Sequence, residues 1–120
     1  MNNMQAINAF WSSFGVPAYE ENSVDAEAPM PRITYDVKQD TFYGISCSMS
    51  ASIWDRSYSW ARIYGIMQSI KALLGEGLII STDEGGLYIR PGSPYMQSIA
   101  GDNDDIRQEL INIEVKYLEG

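Results

Sequence analysis

The clearest periodic signal lies mid-chain, where Tyr43, Ile45, Cys47, Met49, Ala51 and Ile53 alternate with Gly44, Ser46, Ser48, Ser50 and Ser52. A period of two held from 43 to 53 predicts a strand roughly 36 Å long. Its odd face is apolar and belongs in a core. Its serine face is flat, small and uncharged, suited to water or to a neighbouring subunit.

Helical spacing stands on both sides of this strand. Met4, Ile7, Trp11 and Phe14 share one face and predict a helix from about Met4 to Phe14. Asn2 or Asn3 can cap its start, Gly15 is placed to stop it, and Pro17 follows. Trp60, Ile63, Tyr64, Met67, Ile70 and Leu74 make a second stripe, which predicts a helix from about Ser57 to Leu74 ended by Gly75. Trp60 and Tyr64 offer that helix much of its apolar area.

Between the first helix and the long strand, Ala18 to Pro31 is acidic and proline-containing and reads as a solvated loop. Pro29-Met30-Pro31 then forces extended backbone. It leads into a strand, Arg32 to Val37, with Ile33, Tyr35 and Val37 on one face and a turn near Gln39-Asp40. Beyond the second helix, Leu78-Ile79-Ile80 and Leu87-Tyr88-Ile89 flank Asp83-Glu84-Gly85-Gly86 as a hairpin. Arg90-Pro91-Gly92-Ser93-Pro94 reads as its break, Tyr95 to Ala100 as a short helix or irregular, and Gly101 to Asp105 as an acidic loop. The chain closes with a strand in which Ile111, Ile113, Val115 and Tyr117 alternate with Asn112, Glu114 and Lys116. The order predicts one α+β domain over residues 1–120, a mainly antiparallel sheet with two helices packed on one face.

Composition narrows the partners. The chain carries 8 basic and 16 acidic residues, a net charge of −8. Duplex DNA is held chiefly by Lys and Arg neutralising phosphates, and anionic membranes attract the same residues. A grip on either is disfavoured, whereas a wall that DNA slides past is compatible. No apolar stretch approaches the ~20 residues of a membrane helix, and the opening MNNMQAINAFW lacks the basic start and apolar run of a signal peptide.

Candidate chemistry thins out on inspection. There is no histidine, which removes the commonest general base and the commonest transition-metal ligand. Cys47, the single cysteine, has no partner for an internal disulfide and reads as a structural thiol on the inward strand face. The serines at 46, 48, 50 and 52 lack a nucleophile-elbow pattern and a base. Asp102-Asn103-Asp104-Asp105 has oxygens for a hard cation but neither the central glycine nor the distal glutamate of an EF-hand loop. Gly75-Glu76-Gly77 and Gly85-Gly86 lack the Lys-Ser or Lys-Thr of a phosphate loop and read as turns. The expectation is a protein without enzymatic activity, metal or cofactor. At Trp54-Asp55-Arg56, Asp55 is placed to cap the second helix. Trp54 breaks the serine face and is, with Arg56, a candidate partner contact, since Trp and Arg are enriched at interface hot spots.

The second half resembles small proteins that complete the heads and tails of long-tailed bacteriophages. The residues that carry this run from Gly85 through Leu87, Tyr88, Ile89, Arg90, Pro91 and Gly92 to Ser98, with the closing stretch Arg107 to Leu118. Phe14-Gly15-Val16-Pro17-Ala18-Tyr19, followed by Pro31-Arg32-Ile33-Thr34-Tyr35, is similar to the opening of the same family. The resemblance covers nearly the whole chain and is to tail terminators. It implies a virion subunit that forms a six-fold ring on the finished tail tube, ends tube polymerisation and faces the head connector, with DNA passing through the lumen. It implies assembly in the host cytoplasm and no catalytic residue. Other head–tail joining (neck) proteins share this fold.

A ring closes through heterologous contacts, so each copy must offer two different patches. The serine face with Trp54 and Arg56, the hairpin with Asp83, Glu84, Tyr88 and Arg90, and the edge strands are the candidates. Charge reversal at Asp83 and Glu84 is expected to spare folding and impair assembly. Three other readings compete. An acidic DNA mimic should space its carboxylates along one face, but here they collect in loops at 20 to 27, 83 to 84 and 102 to 105. A small enzyme lacks the residues. An unrelated interaction domain predicts a stable monomer with no affinity for tail tubes.

Overall fold

The structure, a computed structural model, describes residues 1–25, 27–38, 44–99 and 105–119. Among these residues two helices and six strands follow in the order α1 (Asn3–Ser12), β1 (Ala18–Glu20), β2 (Arg32–Tyr35), β3 (Ser46–Arg56), α2 (Ala61–Leu74), β4 (Leu78–Thr82), β5 (Gly85–Ile99) and β6 (Ile106–Glu119). They form one sheet in the order β1-β2-β3-β6-β5-β4. Every pairing is antiparallel except β1 with β2. The architecture is the expected α+β, mostly antiparallel.

The long alternating strand fixes the layout. Met49, Ala51 and Ile53 of β3 point inward and pair in register with Ile113, Ile111 and Glu109 of β6. Leu87 and Ile89 of β5 continue that inward surface opposite Tyr117 and Val115. Both helices cover it. α1 contributes Ala6, Ile7, Phe10 and Trp11, and α2 contributes Ile63, Ile66, Met67, Ile70 and Leu74. Full burial stabilises each large aliphatic side chain by about 1.5–3 kcal/mol.

Local signals explain the helix ends. Asn2 Oδ1 accepts from the Gln5 N–H at 2.8 Å, and Gln5 Oε1 accepts from the Asn2 N–H at 2.9 Å, a reciprocal capping box. At the end of α2, Gly75 takes φ +52° and its N–H reaches the Lys71 carbonyl at 3.0 Å.

Several expectations need correction. α1 buries Phe10 and leaves Met4 exposed. α2 starts at Ala61 rather than Ser57, its stripe includes Ile66, and Tyr64 stays on the surface, stacked on a half-buried Trp60 at 6.3 Å. The stretch read as a loop from Ala18 contains β1, because Tyr19 and its neighbours pair with Ile33 to Tyr35. Arg90 to Pro94 does not end the hairpin. β5 runs on to Ile99, taking up its prolines in a register shift between Pro91 and Met96, an irregularity of the kind that tolerates proline in a sheet. β6 starts at Ile106, five residues before the apolar alternation begins. The Gln39-Asp40 turn and Tyr43 lie outside the described residues.

Candidate assembly surfaces

The outer face of the sheet carries no helix, and its polar residues bond to one another across strands. Ser50 Oγ donates to Asn112 Oδ1 at 2.9 Å, and Gln108 Nε2 donates to Ser52 Oγ at 2.9 Å. Trp54 lies on this face between Arg32 and Gln108. Its Nε1–H donates to Thr34 Oγ1 at 2.9 Å, and the Arg32 guanidinium sits 5.9 Å above its ring. The tryptophan is thus anchored within the chain and only partly open. Ser46 and Ser48 remain exposed.

The other expected contact residues fall in separate places. Arg56 pairs with Asp105 at 2.8 Å. Arg90 meets its register partner Glu114 through Nε and Nη2, at 3.0 and 2.7 Å from one carboxylate oxygen. Such exposed pairs contribute little to stability and leave their side chains available to a partner. Tyr88 lies opposite Lys116 on the outer face, and its phenol ring covers the bare α-carbon of Gly77. Asp83 and Glu84 form the hairpin tip. Trp54 sits against Gln108 of β6 and Tyr88 against Lys116, a span of roughly 27 Å along the strand. The six residues form two patches at opposite ends of the sheet plus a tip, not one site.

Sequence reasoning missed a polar cluster at the inward end of the sheet. Asp55 is 1% exposed and Glu109 fully buried. Asp55 does not cap α2. Trp60 occupies the cap position without a side-chain bond, and Asp55 Oδ1 instead accepts from Arg62 Nη1 at 3.4 Å. Glu109 Oε2 accepts from Ser98 Oγ at 2.8 Å. Arg107, in register with Asp55, lies 5.5 Å over the Trp60 ring and reaches the Tyr58 carbonyl at 3.3 Å. The signal was present in parity, since Asp55 continues the odd register of β3 and Glu109 that of β6. The Arg62–Asp55 contact links α2 to the end of β3.

Two phenols are held neutral. Burial pushes the Tyr95 pKa up to about 12. Burial does the same for Tyr117, to about 12, with Cys47 and Glu84 adding in the same direction. Both hydroxyls donate to backbone carbonyls, Tyr95 to Met67 at 3.3 Å and Tyr117 to Lys38 at 2.7 Å, and these bonds need the proton in place. Cys47 is half-buried, with its Sγ 3.6 Å from the Val115 carbonyl. Among the described residues no group of three or more Cys, Asp or Glu could hold a metal ion, and no helix is long and apolar enough to cross a membrane. Asp102 to Asp104, weighed as a cation loop, lie outside those residues.

No protein-family model and no curated protein matches the sequence. Among solved structures the fold is similar to that of a chain from the virion of a native gene transfer agent particle. The two share a TM-score of 0.55 and 12% identity, over 96% of this chain and 86% of that one. At that identity the likeness is one of fold.

Proposed function

We propose that this chain is a structural virion protein of a phage-like particle, a tail-terminator or neck subunit. In this reading it forms a closed ring, a hexamer by resemblance, that caps the tail tube, ends its polymerisation and joins the tail to the connector of the head. The observation that carries the reading is the fold likeness to a virion chain across 96% of the length, in line with the sequence resemblance to tail-completion proteins. The net charge of −8 suits a lumen wall that DNA passes without sticking. The Trp54/Arg56 and Tyr88/Arg90 patches, at opposite ends of the sheet, suit the two unlike faces that cyclic closure requires. Asp83 and Glu84 are candidate contacts to the tube or connector.

Electron microscopy of particles made without this gene tests the reading. Overlong or ragged tails beside unattached, DNA-filled heads are the expected result. Free tails of normal length beside full heads would move the protein to another joining step in the neck. Intact, infectious particles would sink the structural role.

A further inference from the structure

β4 is one edge of the sheet and, among the described residues, pairs only with β5. Its residues, Leu-Ile-Ile-Ser-Thr, include no charge and no proline, and its register with β5 is unbroken. Charge, proline and bulges are the usual means of blunting an edge. Thr82 and Gly85 close the two-residue turn, so Leu78 and Ile80 also direct their backbone groups to β5. Ile79 and Ser81 therefore turn their N–H and C=O groups outward. Among the described residues no other backbone bond is made along Leu78–Ser81. The Ile79 side chain, on the outer face beside Tyr88, is 65% exposed. The opposite edge, β1, is three residues long, and the Glu20 carboxylate folds over its end to accept from the Asn22 N–H at 3.0 Å.

Exposed carboxylates guard both ends of β4, Glu76 before it and Asp83 and Glu84 after it. No Lys or Arg occurs from Gly75 to Gly86, and Lys116 lies two strands in, opposite Tyr88. The Met1 amino group, 2.9 Å from Asp83 Oδ2, offsets one of the carboxylates at the tip and leaves Glu76 and Glu84 without a cationic partner among the described ion pairs. Antiparallel pairing of β4 with its own copy would set Glu76 of each chain near Asp83 and Glu84 of the other, with like charges at both ends. We infer that β4 accepts an extended segment of a different protein, bearing a basic residue at each end and an apolar side chain on the Ile79 face, as an added strand of the sheet. Main-chain bonds to Ile79 and Ser81 supply affinity, and the flanking carboxylates select the partner by charge. This does not depend on the ring reading, whose contacts can lie on other surfaces.

The test is NMR of the isotope-labelled full chain titrated with the peptide Lys-Thr-Val-Thr-Val-Thr-Lys, and with the same core carrying Glu at both ends. The expected result is shifts centred on Leu78–Thr82, slowed amide exchange at Ile79 and Ser81, and about tenfold tighter binding of the Lys-ended peptide at low salt. That preference should shrink at about 0.5 M salt and in the Glu76→Lys variant. No response of β4 at about 1 mM Lys-ended peptide would overturn the inference. So would equal binding of both peptides, shifts centred elsewhere, or self-association of the free chain through β4.

Discussion

Glu84 Oε1 accepts a hydrogen bond from the backbone N–H of Asn3 at 2.8 Å, which ties the tip of the β4–β5 hairpin to the first turn of α1. Asp83 Oδ2 accepts from the Met1 amino group at 2.9 Å, and Thr82 Oγ1 donates to Asn3 Oδ1 at 2.7 Å. The first N–H groups of a helix have no partner within it and carry positive partial charge, so a carboxylate is well placed there. Charge reversal at the tip should therefore cost some stability as well as any effect on assembly, whereas the sequence alone predicts that folding is spared. Glu84→Lys should lower stability by about 1 kcal/mol. An unchanged urea midpoint would show that the tip and helix are energetically independent.

The two tryptophans of the helical layer should differ sharply. Trp11 is fully buried and stacks near Tyr35, with ring centroids 6.3 Å apart. Trp11→Ala should cost about 3–5 kcal/mol. Trp60 is half-buried beneath Arg107, and its loss should cost about half as much. Paired urea titrations decide the order, and a larger loss at Trp60 would contradict the packing described.

Gly77 and Tyr88 should be coupled. A methyl group at Gly77 would come within 2.5 Å of the Tyr88 hydroxyl, so Gly77→Ala must displace the ring and should destabilise by about 1–3 kcal/mol. The penalty should largely vanish in a Tyr88→Ala background. A double-mutant cycle with no coupling would rule out the contact. At Gly92 the obstacle is the Asn112 carbonyl, 2.9 Å away, which is backbone and cannot swing aside. No side-chain truncation should rescue Gly92→Ala.

Stability should fall between about pH 10 and 12. The unfolded chain releases the Tyr95 and Tyr117 protons near the ordinary value of 10.0, whereas the folded chain holds them to about 12. Across that window the folded state binds more protons, so raising the pH favours unfolding. Chemical denaturation at pH 9 and pH 11 measures the loss. In Tyr95→Phe and Tyr117→Phe the slope should flatten, and a wild-type slope in both would place its origin elsewhere.

What the sequence made legible follows the strength of each local pattern. β3 and the last two-thirds of β6 alternate cleanly, because a half-buried strand must present apolar side chains at every second position. Where a strand's inward face turns polar the pattern breaks, although the strand does not. Local pattern therefore marks Asp55 as a cap and gives no sign of Glu109. The prolines of Arg90 to Pro94 suggest a break because proline normally ends a ladder, yet the neighbouring β6 runs on and the extra residues fit in the register shift. β1 is too short to show a period and depends on its pairing with β2. The candidate contact residues were identifiable singly, but their separation was not, because register between distant segments sets it.

β6 follows every other strand in the chain, yet it lies at the centre of the sheet between β3 and β5. It is the one strand that joins β1-β2-β3 to β4-β5, and its Ile111, Ile113, Val115 and Tyr117 complete the apolar layer beneath α1 and α2. A central strand drawn from residues 106–119, between partners that begin at Ser46 and Gly85, makes the sheet's contacts largely non-local, the sort of topology associated with slow folding.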